Sequence, residues 1–378
     1  MKSAFLNDDL LAIQQQTMEF VAKEVVPAGD AWEREGQTPR DILRRLGSLG
    51  YLGLRHPERY GGLGLGALAS AAFSEGLGSS TFGGFEVTVL VHTDMASPHL
   101  LHSGNEEQQE RYLPKIVSGE CLTAIAVTEA VAGSDVAGIR TTARRDGDEY
   151  VLNGSKLFIS NGASADLVIV AARTNPDDPR GLSMFLVDRA TPGFSTSRLL
   201  EKTGWWSSDT AELSFQECRV PAANLLGTEH RGFYEIMRNF QNERLVLAGM
   251  CVGASQKAIE LTVEWTRERG AFGGVLFDKQ AIRQRLAMAQ ARTDAARQML
   301  YHCAWQMEQG ADATREVSEI KALAGELVNE VLYDCVQFHG GTGFVRECAV
   351  ERMARDARVM TIGGGATEVM LEEVAKRM

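Results

Sequence analysis

DGDEYVLNGSKLFIS, Asp146–Ser160, divides this chain of 378 residues into two kinds of text. It holds two short runs rich in β-branched and aromatic residues on either side of Asn153-Gly154. That dipeptide tolerates positive φ at both turn positions, so the stretch predicts a hairpin turning there. Three further runs follow, separated by turn residues: DLVIVAAR (Asp166–Arg173), SMFLVDR (Ser183–Arg189) and AELSFQECRVP (Ala211–Pro221). Together they predict a small β barrel or sandwich.

The text on both sides is helical. In NDDLLAIQQQTMEFVAKEVV, Leu10, Ile13, Phe20, Val21 and Val25 recur at helical spacing, and Asn7 or Asp8 is placed to cap the start. PRDILRRLGSLGYLGL and NEEQQERYLPKIVSGE read similarly. From Gly232 onward, NERLVLAGMCVGASQKAIELTVEWTRER and EIKALAGELVNEVLYDCVQFHG are long enough for bundle helices. The expected architecture is mainly α with a central β domain. It comprises an N-terminal helical domain (1–122), a β barrel or sandwich (123–231) and a C-terminal four-helix bundle (232–378). There are no repeats and no low-complexity linker.

Thirty-nine basic residues against 50 acidic give a net charge of −11. This argues against a nucleic-acid partner or an anionic membrane surface, while leaving room for local phosphate-binding pockets. No apolar run approaches the roughly 18–20 residues of a membrane span. The start, MKSAFLNDDLLAIQQQ, resembles neither a secretory nor a transit peptide, so a cytoplasmic protein is expected. Six scattered cysteines without a CxxC pair read as reduced and mostly buried.

Several tempting motifs fail on context. A dinucleotide-binding glycine motif follows a strand and opens a helix, whereas YGGLGLGAL (Tyr60–Leu68) lies between helices and HGGTGF (His339–Phe344) follows one. Both read as turns and helix stops. His92, His99 and His102 with Asp94 match no standard metal spacing and read as satisfied or exposed side chains. No G-x-S-x-G elbow is present.

Three blocks, in order, resemble the acyl-CoA dehydrogenase family. They are the segment Ala124–Arg173, the run RERGAFGGVLFDKQAI (Arg267–Ile282), and the C-terminal segment from Tyr333 to TIGGGATEVM (Thr361–Met370). The resemblance covers essentially the whole chain and is closest to long-chain and isovaleryl-type members. It implies an FAD-dependent oxidoreductase of fatty acid metabolism and β-oxidation, turning an acyl-CoA, medium- or long-chain or branched, into its trans-2-enoyl thioester. It also implies an electron-transfer flavoprotein as partner and a homotetramer built as a dimer of dimers. Alternatives are dehydrogenation of a carrier-protein-bound acyl group, or a flavin-binding scaffold without chemistry.

Residue by residue, the resemblance places Ile125, Val127 and Thr128 at the pyrimidine end of the flavin. Phe158 stands where the family commonly has Trp packing on the flavin, and Ser160 where it commonly has Thr near N5. Ser134 matches a serine near the FAD pyrophosphate and the thioester's pantetheine arm. Arg269, Phe272, Gln280, Gln337, Gly340 and Gly341 correspond to residues reaching the ADP half of FAD from a neighbouring subunit. Ala130 replaces a usual Pro, and Ala366 a usual Thr of the cofactor loop. Glu368 reads as a cofactor- or helix-start residue, and Gln241 and Arg244 as substrate neighbours.

The chemistry needs a base for the α-proton while a β-hydride leaves to the flavin. Most members carry that base as a Glu in the C-terminal loop, and here the position is Gly364, whose N–H remains to hold the thioester oxygen. Glu243, in QNERLVLAG at what reads as the start of a bundle helix, matches members with a helix-borne base. Alone it would read as a solvated helix-start acid beside Arg244. The Glu at 243 and Gly at 364 together point to a carboxylate reaching the same α-carbon from the helix.

Overall fold

The computed structural model describes residues 3–378 and opens with helices. These are α1 (Asp8–Phe20), α2 (Gly29–Glu35), α3 (Arg40–Ser48), α4 (Ala67–Leu77), α5 (Gly83–Leu90), α6 (Ser97–Ser103) and α7 (Glu106–Val117). Asn7 is the residue that caps α1, its side chain accepting from Leu10 N at 2.9 Å. Asn105 and Gln108 form a reciprocal capping box at α7. Two widened π-helical segments interrupt this region, Val21–Val25 after α1 and Val91–Ala96 after α5.

Eight strands follow: β1 (Thr123–Ala126), β2 (Thr142–Asp146), β3 (Glu149–Ser160), β4 (Leu167–Arg173), β5 (Leu182–Asp188), β6 (Phe194–Leu199), β7 (Thr210–Pro221) and β8 (Leu225–Leu226). They pair in the order β6-β7-β3-β2-β4-β5-β8, with β1 parallel to β4. β2 and β4 share the single pair Thr142↔Arg173, so the sheet folds there. Its two halves close over a common core that includes Leu152 and Phe215, with the Tyr150 and Phe185 rings 4.9 Å apart.

The expected turn at Asn153-Gly154 is not there. The chain reverses at Gly147-Asp148, between the paired residues Asp146 and Glu149, with Gly147 at φ +62°. Asn153 and Gly154 lie inside β3, at a register shift against β7. Gly154 sits at φ +146°, and a Cβ on it would fall 2.5 Å from Thr141 Oγ1. The glycine therefore serves a bulge and a close approach rather than a turn.

The C-terminal helices are α8 (Gly232–Glu268), α9 (Gln280–Glu308), α10 (Thr314–His339), α11 (Ala349–Ala357) and α12 (Thr367–Ala375). One apolar cluster joins Phe73 and Leu77 of α4 to Leu245 and Val252 of α8, Leu300 of α9 and Leu327 of α10, so the two helical regions share a core. A second cluster seats the sheet on the helices through Leu113, Ile169, Leu186 and Ile236. The six cysteines are free, five buried and Cys348 partly exposed. Among the described residues, no helix is long and apolar enough to cross a membrane.

Candidate active site

Glu243 lies well inside α8 rather than at its start, because the helix begins at Gly232. It is only 8% exposed, which removes the reading of a solvated helix-start acid. Asn239, one turn earlier, donates through Nδ2 to Glu243 Oε1 at 3.1 Å. Burial pushes the Glu243 carboxyl up to about 7, against the Asn239 bond and the Arg244 charge, both of which favour the carboxylate. A carboxyl poised there exchanges protons near neutral pH, as a general base requires.

The glycine loop meets the same face of α8. Gly364 is at φ +61°, and a Cβ there would fall 2.1 Å from Cδ1 of Leu247, one turn beyond Glu243. Gly365 is at φ +103°, where a Cβ would lie 2.7 Å from Met370 Cε and 3.6 Å from Arg244 Nε. Backbone handedness and the lack of space both explain why the loop carries no side chain at these positions. Lys321 of α10, 2% exposed, donates to Met360 O at 2.8 Å and to Gly365 O, clasping the loop at both ends. Burial pushes its ammonium down to about 8.

A second wall comes from the sheet. Leu157 N donates to Thr128 O at 2.9 Å, joining the loop after β1 to β3. Beneath it Lys156 Nζ donates to Val127 O at 2.9 Å and to Glu129 Oε1 at 2.8 Å, with side-chain exposures of 0% and 5% for the pair. Glu129 also accepts from Arg140 N at 2.7 Å and Thr141 N at 2.9 Å. Mutual backbone bonds between Glu129 and Ala132 close the turn around Ala130, so it forms without the family's usual proline. Phe158 projects from this wall 64% exposed, at φ +61° beside a register shift. A strained, exposed aromatic next to the Val127–Thr128 backbone is a surface for a flat ring. Ser160 is half-buried two residues further on.

A third group sits at the C-terminal ends of α8 and α10. Arg269 follows α8, its guanidinium 5.9 Å from the Trp265 ring centre. Trp265 stacks on His339 at 5.2 Å and donates to Phe338 O, which brings Gln337, Gly340 and Gly341 alongside. Phe272 is at the tip of the Gly270–Val275 hairpin, φ +51° and 93% exposed. Gln280 opens α9, exposed, just beyond that hairpin. Gly340 and Gly341 have no atom within 4 Å of a built Cβ, leaving their backbone accessible.

Other expected residues stand apart from Glu243. Gln241, two residues before it and hence on another side of the helix, donates to Thr314 Oγ1. Arg244 is half-buried beneath Gly365, and Phe240 lies under its guanidinium at 5.5 Å. Ser134 is exposed on the loop after Ala132, Ile125 is half-buried within β1, and Glu368 is exposed in the first turn of α12. Ala366 is the residue preceding that helix and offers it no side-chain cap, and the neighbouring Thr367 Oγ1 is buried without a partner. His92 is satisfied by Thr123 and Ile116 O, but His99, expected satisfied or exposed, is buried with Nε2 unpartnered. No group of His, Cys, Asp or Glu among the described residues could hold a metal ion.

Sequence reasoning missed Asn239, Lys156 and Lys321. Lys156 shares the strand parity of the inward-facing Tyr150 and Leu152, a signal that could have found it. Asn239 stands four residues before Glu243, a helical spacing that could have paired them, whereas Lys321 carries no such signal because its partners are backbone carbonyls distant in the chain.

The features suit a flavin. Phe158 offers a face, the Val127–Thr128 loop offers backbone groups, and Gly340–Gly341 with Arg269 offers a bare backbone and a donor fork for phosphates.

Three family models match along the chain: acyl-CoA dehydrogenase N-terminal domain at residues 7–120, middle domain at 124–218 and C-terminal domain at 230–378. The long-chain specific acyl-CoA dehydrogenase of Sus scrofa is 38% identical over 97% of this chain and 85% of its own length. Isovaleryl-CoA dehydrogenase of Pongo abelii is 36% identical over 96% and 87%. A solved acyl-CoA dehydrogenase from Geobacillus kaustophilus superposes with TM-score 0.95 at 38% identity, covering 100% of this chain and 99% of that one.

Proposed function

The chain belongs to the acyl-CoA dehydrogenase family as an FAD-dependent enzyme, and on that premise we propose that Glu243 is its catalytic base. The observation that carries this is the buried Glu243 carboxyl sharing one face of α8 with Leu247, against which the side-chain-free Gly364 packs. The thioester lies between them, with Gly364 N–H donating to its oxygen and so acidifying the α C–H. Glu243 then takes the α-proton. FAD, when bound, supplies the acceptor for the β-hydride. Val127 and Thr128, held by the Lys156–Glu129 pair and the Leu157 backbone, would offer backbone groups to the pyrimidine edge of the flavin, and Phe158 and Ser160 would line its ring. Ile125 supports that loop from β1, and Ser134 lies on the approach of the pyrophosphate and pantetheine.

Arg269, Phe272, Gln280, Gln337, Gly340 and Gly341 serve the ADP half of the FAD held by a second subunit, with Ala366 and Glu368 at the cofactor loop. This reading makes the protein an oligomer, a homotetramer assembled as a dimer of dimers. Long-chain or branched acyl-CoA is the substrate class favoured by a helix-borne base, with an electron-transfer flavoprotein as acceptor, β-oxidation as the setting and the cytoplasm as the location.

The test is anaerobic mixing of FAD-loaded enzyme with straight and branched acyl-CoAs, following flavin bleaching. Wild type bleaches, whereas Glu243→Gln keeps its FAD and does not. Bleaching by the variant at more than a trace of the wild-type rate refutes the assignment.

A further inference from the structure

Asn239 sits where one amide nitrogen meets three acceptors, which share its two hydrogens. Its Nδ2 lies 3.1 Å from three acceptors at once: Glu243 Oε1, Asp94 O and Met95 O. With two carbonyls and a carboxyl around one nitrogen, the amide orientation is fixed, because the flipped amide would set oxygen against oxygen. The two carbonyls belong to the π-helical segment Val91–Ala96, whose wider turns face α8. Asn242 bonds the same segment, at Asp94 O (3.0 Å) and Asp94 Oδ1 (3.2 Å), and its side chain makes no hydrogen bond to the Glu243 carboxyl.

We propose that Asn239 is a positioning residue for the Glu243 carboxylate, itself held by the carbonyls of the π-helical turn. This rests on Glu243 being the base. The bond falls on Oε1, so Oε1 is fixed and Oε2 carries the proton exchange. A base must lie close to the proton it takes, and a fixed carboxylate meets that condition before substrate arrives. The bond also favours the ionised form, opposing the burial that disfavours it. The charged groups facing Glu243 are few. They are Arg244 on its own helix, Asp94 on the π-helical segment, and, behind Arg244, Lys321 of α10 with Glu373 and Arg377 of α12.

The experiment is the pH dependence of flavin bleaching by acyl-CoA, measured on FAD-loaded full-length protein as wild type, Asn239→Ala, Asn239→Gln and Asn242→Ala. Each variant's melting temperature is recorded alongside. Losing the bond raises the proton affinity of Glu243, so Asn239→Ala moves the acidic limb upward by about one pH unit. Gln restores an amide on a longer stem and moves the limb less than half as far. Asn242→Ala loosens the π-helical contact and lowers the melting temperature, but leaves the limb in place. Should Asn239→Ala not retain FAD, the Gln variant against Asn242→Ala decides. A limb unmoved in both Asn239 variants, or moved equally by Asn242→Ala, overturns the proposal while Glu243 remains the base. Turnover surviving in Glu243→Gln removes the premise instead, and the two failures are distinct.

Discussion

Replacing Gly364 by alanine loads two separate strains on the loop. The residue sits at φ +61°, where an L-residue is disfavoured by about 1–2 kcal/mol. The added Cβ would fall 2.1 Å from Leu247 Cδ1, so the leucine, 4% exposed, must leave its rotamer at about 1 kcal/mol. The expected destabilisation is therefore about 2–3 kcal/mol. It is read by urea denaturation of FAD-loaded protein at fixed concentration. In a Leu247→Ala background the steric part vanishes, and only the backbone part of about 1–2 kcal/mol remains. A double-mutant cycle then gives a coupling of about 1 kcal/mol between the two positions. On the proposed role of the Gly364 N–H as donor to the thioester oxygen, displacing it is expected to lower turnover roughly tenfold or more. If Gly364→Ala changes stability by less than about 0.5 kcal/mol in both backgrounds, the loop is not empty for the reasons given.

Four other consequences follow from the structure. With Glu243 pushed up to about 7, turnover should rise with pH through neutrality as the base ionises, and a rate flat from pH 6 to 8 would contradict this. Moving the base back to the loop as Glu243→Thr with Gly364→Glu should recover activity only when Leu247→Ala makes room; recovery in the double variant would show that the clash is not limiting. Lys156→Met leaves the Glu129 carboxylate buried without its ion pair and is expected to cost about 3–5 kcal/mol and loosen FAD. Adding Glu129→Gln should restore much of that stability, seen in melting temperature and flavin retention. Finally, burial lifts the Glu86 carboxyl to about 8 from 4.5. The folded chain then holds a proton that the unfolded chain has lost between those values, so stability falls as pH rises through that window. Glu86→Gln should flatten the slope, with its largest stabilisation near pH 8 and almost none below pH 4.5; an unchanged slope would count against the buried acid.

Patterns local in the chain were readable without coordinates. The cap of α1, the runs that became β4, β5 and β7, and the long helices after Gly232 each depend on residues a few positions apart. β2 and β6 escaped because TARRD and FSTSRL are mostly polar and carry no apolar alternation, and their pairing with β3 and β7 is what makes them strands. The Asn153-Gly154 turn failed for a related reason: a dipeptide that favours a turn also suits a bulge, and the neighbouring Thr141 and β7 settle which it becomes.

At the site, the residue types were legible and their surroundings were not. A glutamate at 243 and a glycine at 364 can be paired from the resemblance to members with a helix-borne base. That the glutamate is buried, and that Leu247 occupies the space a side chain at 364 would need, depends on helices and a loop meeting across more than a hundred residues of chain. The bonds of Asn239 to two π-helical carbonyls, and those of Lys321 clasping the glycine loop, leave no periodic trace, since hydrogen bonds to distant backbone impose no spacing on the sequence. Amino-acid order thus sufficed for the family and the helical–β–helical succession, and it singled out Glu243 as the acid proposed for the chemistry. The proton affinity of that acid and its fixed orientation arise from burial and from donors supplied by other elements, and those exist once the chain has packed.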